Sequence, residues 1–271
     1  MPTKTSLTLL LCLSLVGCGE PIVARTPNAV YNLAKQQLDN GQFRAAGDSL
    51  QRVMELDPNG EFGRRALVLR TALLAAMTRS FQSLGEDHLA GYKQGQSPEL
   101  RTVGMGYFSR ARGRALELMD VLEQALKQPA TSPYRVDYWP AAPTSTDALQ
   151  KARQGQALSE TELNAAERAA MQRSLGEALN SLAGKTGAPG GAEAEVEPAV
   201  FFLGAAKELV RLASLFQHEA LNERALSRLS LERAATLARQ AEQLAQAAGN
   251  QKIQAEAGEI LRQCEEALKK R

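Results

Sequence analysis

The side chains of this 271-residue chain that could act as nucleophiles, metal ligands or acid–base groups include three cysteines and only two histidines. His88 and His218 lie far apart, and neither has a second histidine or a cysteine pair at metal-ligand spacing. A zinc site is therefore not indicated. Asp87-His88 and His218-Glu219 are adjacent in sequence and need not share a helical face, so both imidazoles read as surface or satisfied core groups. Gly104, Gly106 and Gly113 fall inside a helical pattern rather than after a strand. They predict close helix packing or a kink, not a phosphate-cradling loop. Cys264 shares a stripe with Ile253, Ala257, Ile260, Leu261 and Leu268 at three- and four-residue spacing, which makes it a small core side chain. With Cys12 and Cys18 near the N-terminus, no disulfide framework is expected. These residues predict no catalytic centre, metal or cofactor. An enzyme would need acid, base or nucleophile groups brought together only by the fold.

Cys18 is the exception, because of what precedes it. Lys4 supplies a short positive segment, Leu7 to Val16 an apolar run, and Leu15-Val16-Gly17-Cys18 places small residues before a thiol. This resembles the lipobox of bacterial lipoproteins. The resemblance implies cleavage before Cys18, attachment of diacylglycerol to its thiol and acylation of the new amino group. Other readings are an ordinary secretory signal containing a cysteine, or a short membrane helix. The run falls short of the roughly 20 apolar residues that span a bilayer. Gly19 stands where aspartate would favour the inner membrane under the enterobacterial sorting pattern. That implies a lipid anchor on the periplasmic side of the outer membrane, with at least two acyl chains for stable attachment.

The remaining residues are ample for one sizeable core or two small helical units. Lys and Arg number 32 against 30 Asp and Glu, a net charge of +2 that leaves no electrostatic footprint for nucleic acid. Lys269-Lys270-Arg271 closes a predicted helix, where cations offset the negative end of the dipole. The most apolar later segment, residues 201–216, carries Lys207, Glu208 and Arg211, so no second membrane segment is predicted.

Ala, Leu, Gln, Glu and Arg fill long stretches with helical periodicity, aromatic residues are only 5%, and almost no window alternates at period two. The expectation is an all-α fold with helices over 28–39, 43–56, 60–84, 98–127, 160–183, 199–219, 223–248 and 251–270. Ser97-Pro98 predicts a capping hydroxyl before a proline, and Ser159 with Glu162 has capping-box spacing. Prolines 129, 133, 140 and 143 interrupt the pattern over 129–146. Residues 184–198, glycine-rich and then acidic, read as a mobile loop. The expected order is a signal (1–17), lipidated tether (18–27), helical region (28–128), Pro/aromatic loop (129–146), helical segment (147–183), flexible loop (184–198) and C-terminal helical region (199–271).

Within residues 31–58, Leu33, Ala34, Gly41, Phe43, Ala46, Leu50, Val53 and Pro58 stand at the spacing of a tetratricopeptide repeat. Ala34 and Ala46 would let two helices approach, Gly41 permit the turn, Phe43 and Leu50 fill the seam, and Asp57-Pro58 end the second helix. A shift by one repeat meets Val68, Ala75, Ser80 and Tyr92, so no second copy follows in register. Ala234, Ala238 and Ala241, followed by a Gly249-Asn250 turn, repeat the small-residue spacing near the C-terminus. The fold expectation is thus helical hairpins in a tetratricopeptide-like solenoid or an irregular helical bundle.

A lipobox followed by such a hairpin resembles outer-membrane helical lipoproteins that assist β-barrel or pilus-secretin assembly. The resemblance implies an adaptor or scaffold that binds envelope proteins. The alternative is a helical lipoprotein enclosing a small or lipidic ligand. Tyr134, Tyr138 and Trp139, set among prolines, are read in two ways: as a partner contact, or as a plug in the helical core.

Overall fold

The computed structural model describes residues 26–128, 132–141, 147–184 and 193–270. The signal, Cys18 and residues 185–192 lie outside the described residues. Those described form nine helices and one two-stranded ribbon, an all-α fold built around one hydrophobic core.

The N-terminal hairpin follows from its punctuation. Thr26 accepts the backbone N–H of Ala29 at 3.3 Å and Pro27 opens α1 (Pro27–Asp39). Gly41, with φ +72°, turns the chain into α2 (Phe43–Leu56). Ala34, Ala46, Leu50 and Val53 are fully buried in the seam, as their spacing predicts, and Phe43 packs half-buried beside them. Leu33 departs from its expected packing role: it is 45% exposed, because the inward stripe of α1 runs through Val30, Tyr31, Ala34 and Leu38. Pro58 is exposed and only stops the chain, whereas the Asp57 carboxylate accepts the N–H groups of Phe62 (3.0 Å) and Gly63 (3.3 Å) and so caps the next helix.

That helix, α3 (Glu61–Gly95), is 35 residues long, about 50 Å at 1.5 Å per residue, and is the central strut. The periodicity predicts an end near Leu84, but the helix runs on through Gly85 and Gly91. Both are packing glycines. A Cβ at Gly85 would lie 2.8 Å from the Phe108 ring, and one at Gly91 2.0 Å from the Ala152 carbonyl oxygen. Gln96, at φ 53°, turns α3 into α4 (Pro98–Leu126), whose Gly104 lets the two helices cross closely. Gly106 and Gly113 meet no such neighbour. Ser97 does not cap α4 as expected: its hydroxyl donates to the Glu99 carboxylate at 2.6 Å.

The interruptions are more ordered than their composition predicts. A short helix, α5 (Ala148–Arg153), sits against α3, followed by α6 (Glu160–Ala183) with the complete Ser159/Glu162 capping box. That box and Lys151 hold the Glu162 carboxyl down at about 2, the lysine contact contributing most. Residues 194–196, expected in a loop, form a strand: β1 (Tyr134–Val136) and β2 (Ala194–Val196) pair antiparallel, Tyr134 opposite Val196 and Val136 opposite Ala194. Those four side chains are buried, while Arg135 and Glu195 point outward and pair at 3.3 Å.

The last three helices are α7 (Pro198–Gln217), α8 (Arg224–Ala247) and α9 (Gln251–Lys269). The Ser227 and Ser230 hydroxyls of α8 donate to the Ala213 (2.7 Å) and Leu209 (2.6 Å) carbonyls of α7, which small residues allow. Ala234, Ala238 and Ala241 are fully buried, Gly249 turns at φ +69°, and Asn250 caps α9. Among the described residues no helix is long and apolar enough to cross a membrane.

Candidate functional site

The residues singled out for chemistry are placed apart. His88 is buried, with Nδ1 2.7 Å from the Leu84 carbonyl oxygen one turn back. His218 stacks on Phe108 at 4.3 Å between centroids and accepts the Ala220 N–H at 3.2 Å. Cys264 is a fully buried free thiol, pushed up to about 11 by burial. Among the described residues no group of three metal-ligating side chains converges.

The aromatic cluster resolves toward internal packing. Tyr134, Tyr138 and Trp139 are all buried within the chain, at 2%, 8% and 8% exposure. Tyr134 packs on Phe201 of α7 with centroids 4.6 Å apart. Between Val136 and Tyr138 comes Asp137, a residue the sequence offered no reason to select. It accepts from the Tyr31 hydroxyl (2.5 Å), Lys35 (3.0 Å) and Arg65 (3.1 Å), while Arg65 also pairs with Glu61 and Glu193. Burial would raise the Asp137 carboxyl, but the hydroxyl and the two cations hold it below the usual carboxylate range. This cluster joins α1, α3 and the ribbon. It is a structural tie in which one atom, the buried Nε of Arg65, has no hydrogen-bond partner among the described residues.

A groove of about 830 Å³ lies beside the α1–α2 turn, open to solvent and walled by α2, α3, α4 and α6. Its floor is apolar, made by Met77, Phe81 and Met171 with Phe43 at one end. Methionine suits such a floor because its unbranched side chain adapts to different occupants. One wall is preorganised. Arg110 lies 4.1 Å above the Phe81 ring and pairs with Glu167 at 2.9 Å, while the Tyr107 hydroxyl donates to the same carboxylate at 2.6 Å. Burial, with Glu167 second, pushes the Tyr107 hydroxyl far above its ordinary range, so it stays a donor.

At the mouth, Arg44 from α2 and Arg168 from α6 are exposed and make no ion pair among the described residues. Arg168 lies over the α1–α2 turn: a Cβ at Gly41 would be 2.5 Å from its Nε. Asp48 is the one other charge on the lining besides the Arg110–Glu167 pair. The lining sets apolar side chains beside exposed guanidiniums, an arrangement that can receive an apolar segment with negative charge at its edge. Sequence reasoning selected Gly41 and Phe43 at this place but missed Arg110, Glu167, Arg168 and Met171. They come from helices distant in sequence, and nothing local marks them.

The comparisons leave the chain without a family: no protein-family model matches it, and no curated protein matches it.

Proposed function

We propose that this protein is a bacterial lipoprotein, anchored through Cys18 at the periplasmic face of the outer membrane, that works as a non-catalytic adaptor for envelope proteins. Its docking surface is the groove beside the α1–α2 turn, and the occupant is a partner segment with apolar side chains flanked by carboxylates. The observation that carries this reading is the apolar floor of Met77, Phe81 and Met171 under two guanidiniums, Arg44 and Arg168, that lack a counterion among the described residues. Apolar contacts supply affinity, and the rim charges supply orientation and on-rate. The small-residue seam of Ala34 and Ala46 keeps the tetratricopeptide-like hairpin rigid, so that Gly41 and Arg168 meet at a fixed place.

The test is site-specific photocrosslinking in native envelopes. A crosslinker at Ala165, on the groove lining, should capture a discrete partner, and Arg44→Glu with Arg168→Glu should abolish that capture. A crosslinker on α9 at Arg262 should not capture it. Equal capture from both positions, or capture indifferent to the double substitution, sinks the docking reading. Membrane retention of Cys18→Ser with unchanged mass separately removes the anchor.

A further inference from the structure

We propose that a second, separate cleft, between α3, α6 and α7, binds an oxyanion of the phosphoryl class through Arg173 and Arg211. The cleft has a volume of about 310 Å³ and lies on the other flank of α6 from the docking groove. It contains three arginines, of which one is spent. Arg79 donates from Nε to the buried Glu208 carboxylate at 3.1 Å, makes a second contact to it, and reaches Glu177 at 3.4 Å. That pairing occupies Arg79, whose single charge is shared between Glu208 and Glu177.

Arg173 on α6 and Arg211 on α7 make no ion pair among the described residues. Arg211 is exposed on the cleft wall beside Arg79, Glu208 and Glu177; partial desolvation first, and then repulsion from Arg79, push its guanidinium below the ordinary range in spite of the two carboxylates. Ser83 of α3, Ser174 of α6 and Ser214 of α7 line the same space, and their hydroxyls make no hydrogen bond among the described residues. Ser174 is 9% exposed, whereas Ser83 and Ser214 stand at the open surface of the cleft. Two planar guanidinium forks and three rotatable hydroxyls line one cleft from three helices. That suits a tetrahedral group whose oxygens are all acceptors.

The opposing charges narrow the class. Glu86 lines the cleft and accepts from Gln82 at 2.9 Å, so the three arginines face three carboxylates in all: Glu86, Glu177 and Glu208. With the charges balanced, selection rests on hydrogen-bond geometry rather than on net field: a phosphoryl group presents three acceptor oxygens to guanidinium and hydroxyl donors. The phosphoryl group could belong to a soluble ester or to a lipid headgroup.

The experiment uses the full chain carrying Cys18→Ser, titrated with inorganic phosphate while the arginine Nε–H resonances are followed by NMR. Saturable shifts confined to Arg173 and Arg211, with a midpoint below about 1 mM, are expected. Arg173→Gln with Arg211→Gln should weaken binding by roughly tenfold or more, and Arg→Lys at both positions should restore part of it. Neither arginine makes an ion pair, so the melting temperature of the double variant should stay close to the parent's and report that it folds. Vesicles of phosphatidylcholine with and without phosphatidic acid separate the sources: arginine-dependent sedimentation with phosphatidic acid assigns a headgroup, and phosphate shifts without sedimentation assign a soluble ester. Absence of saturable shifts at phosphate on the order of 10 mM, or equal binding by the Gln variant, overturns the proposal.

Discussion

The Tyr31 hydroxyl donates to the Asp137 carboxylate at 2.5 Å across 106 residues of chain, and Lys35 and Arg65 complete that carboxylate's shell. One acidic side chain thus fastens the first helix to the segment that carries the ribbon. Asp137→Asn should cost about 2 kcal/mol, since it leaves two cations facing a neutral amide in a largely buried place. Urea unfolding at neutral pH would read it, and a loss below about 0.5 kcal/mol would reduce the cluster to surface decoration.

The same carboxyl sets a pH dependence. Its folded pKa lies below its unfolded one, so its contribution is fully present above the ordinary aspartate value of about 3.9 and is lost as pH falls through the lower folded value. Melts recorded on descending from pH 6 should steepen in the parent below about pH 4 and be flatter in Asp137→Asn. Parallel curves would exclude this assignment.

The N-terminal hairpin separates packing from exposure. Ala46 is fully buried and Leu33 is 45% exposed. Ala46→Leu should overpack the seam by about 1 to 3 kcal/mol, whereas Leu33→Ser should stay within about 0.5 kcal/mol of the parent. A larger effect at Leu33 would mean that this face is covered by a partner.

Gly41→Ala tests the link from turn to groove. The φ of +72° disfavours any side chain, and the new Cβ would meet the Arg168 guanidinium. A loss of about 1 kcal/mol, together with weaker partner crosslinking at Ala165, is the expected pair of results. Full crosslinking with Arg168 displaced would remove that arginine from recognition.

Cys264 should resist thiol reagents at pH 8 in the native protein and react fully on unfolding, because it is fully buried with its thiol pushed up to about 11. Rapid native labelling would place the α8–α9 packing in error.

What the sequence disclosed was local. Residues 43–56 were readable as a helix because Gly41 and Asp57-Pro58 punctuate it, and the capping box fixed the start of α6 from two residues three apart. The full length of α3 was not readable, because a glycine that packs and a glycine that breaks look alike without the neighbour it packs against. The ribbon was missed because three-residue strands carry too little alternation, and their partners lie 60 residues apart. The groove was invisible for a related reason: Arg110, Glu167 and Phe81 are brought together by helix crossing alone.

The pairing of Tyr134–Val136 with Ala194–Val196 returns the chain, after α5 and α6, to the strand it left. Both helices also pack on α3, so the excursion is closed twice, by a ribbon at its ends and by helix contacts along its length. Breaking either strand would open the ribbon while leaving α6 seated on α3, so the two attachments can be weakened one at a time.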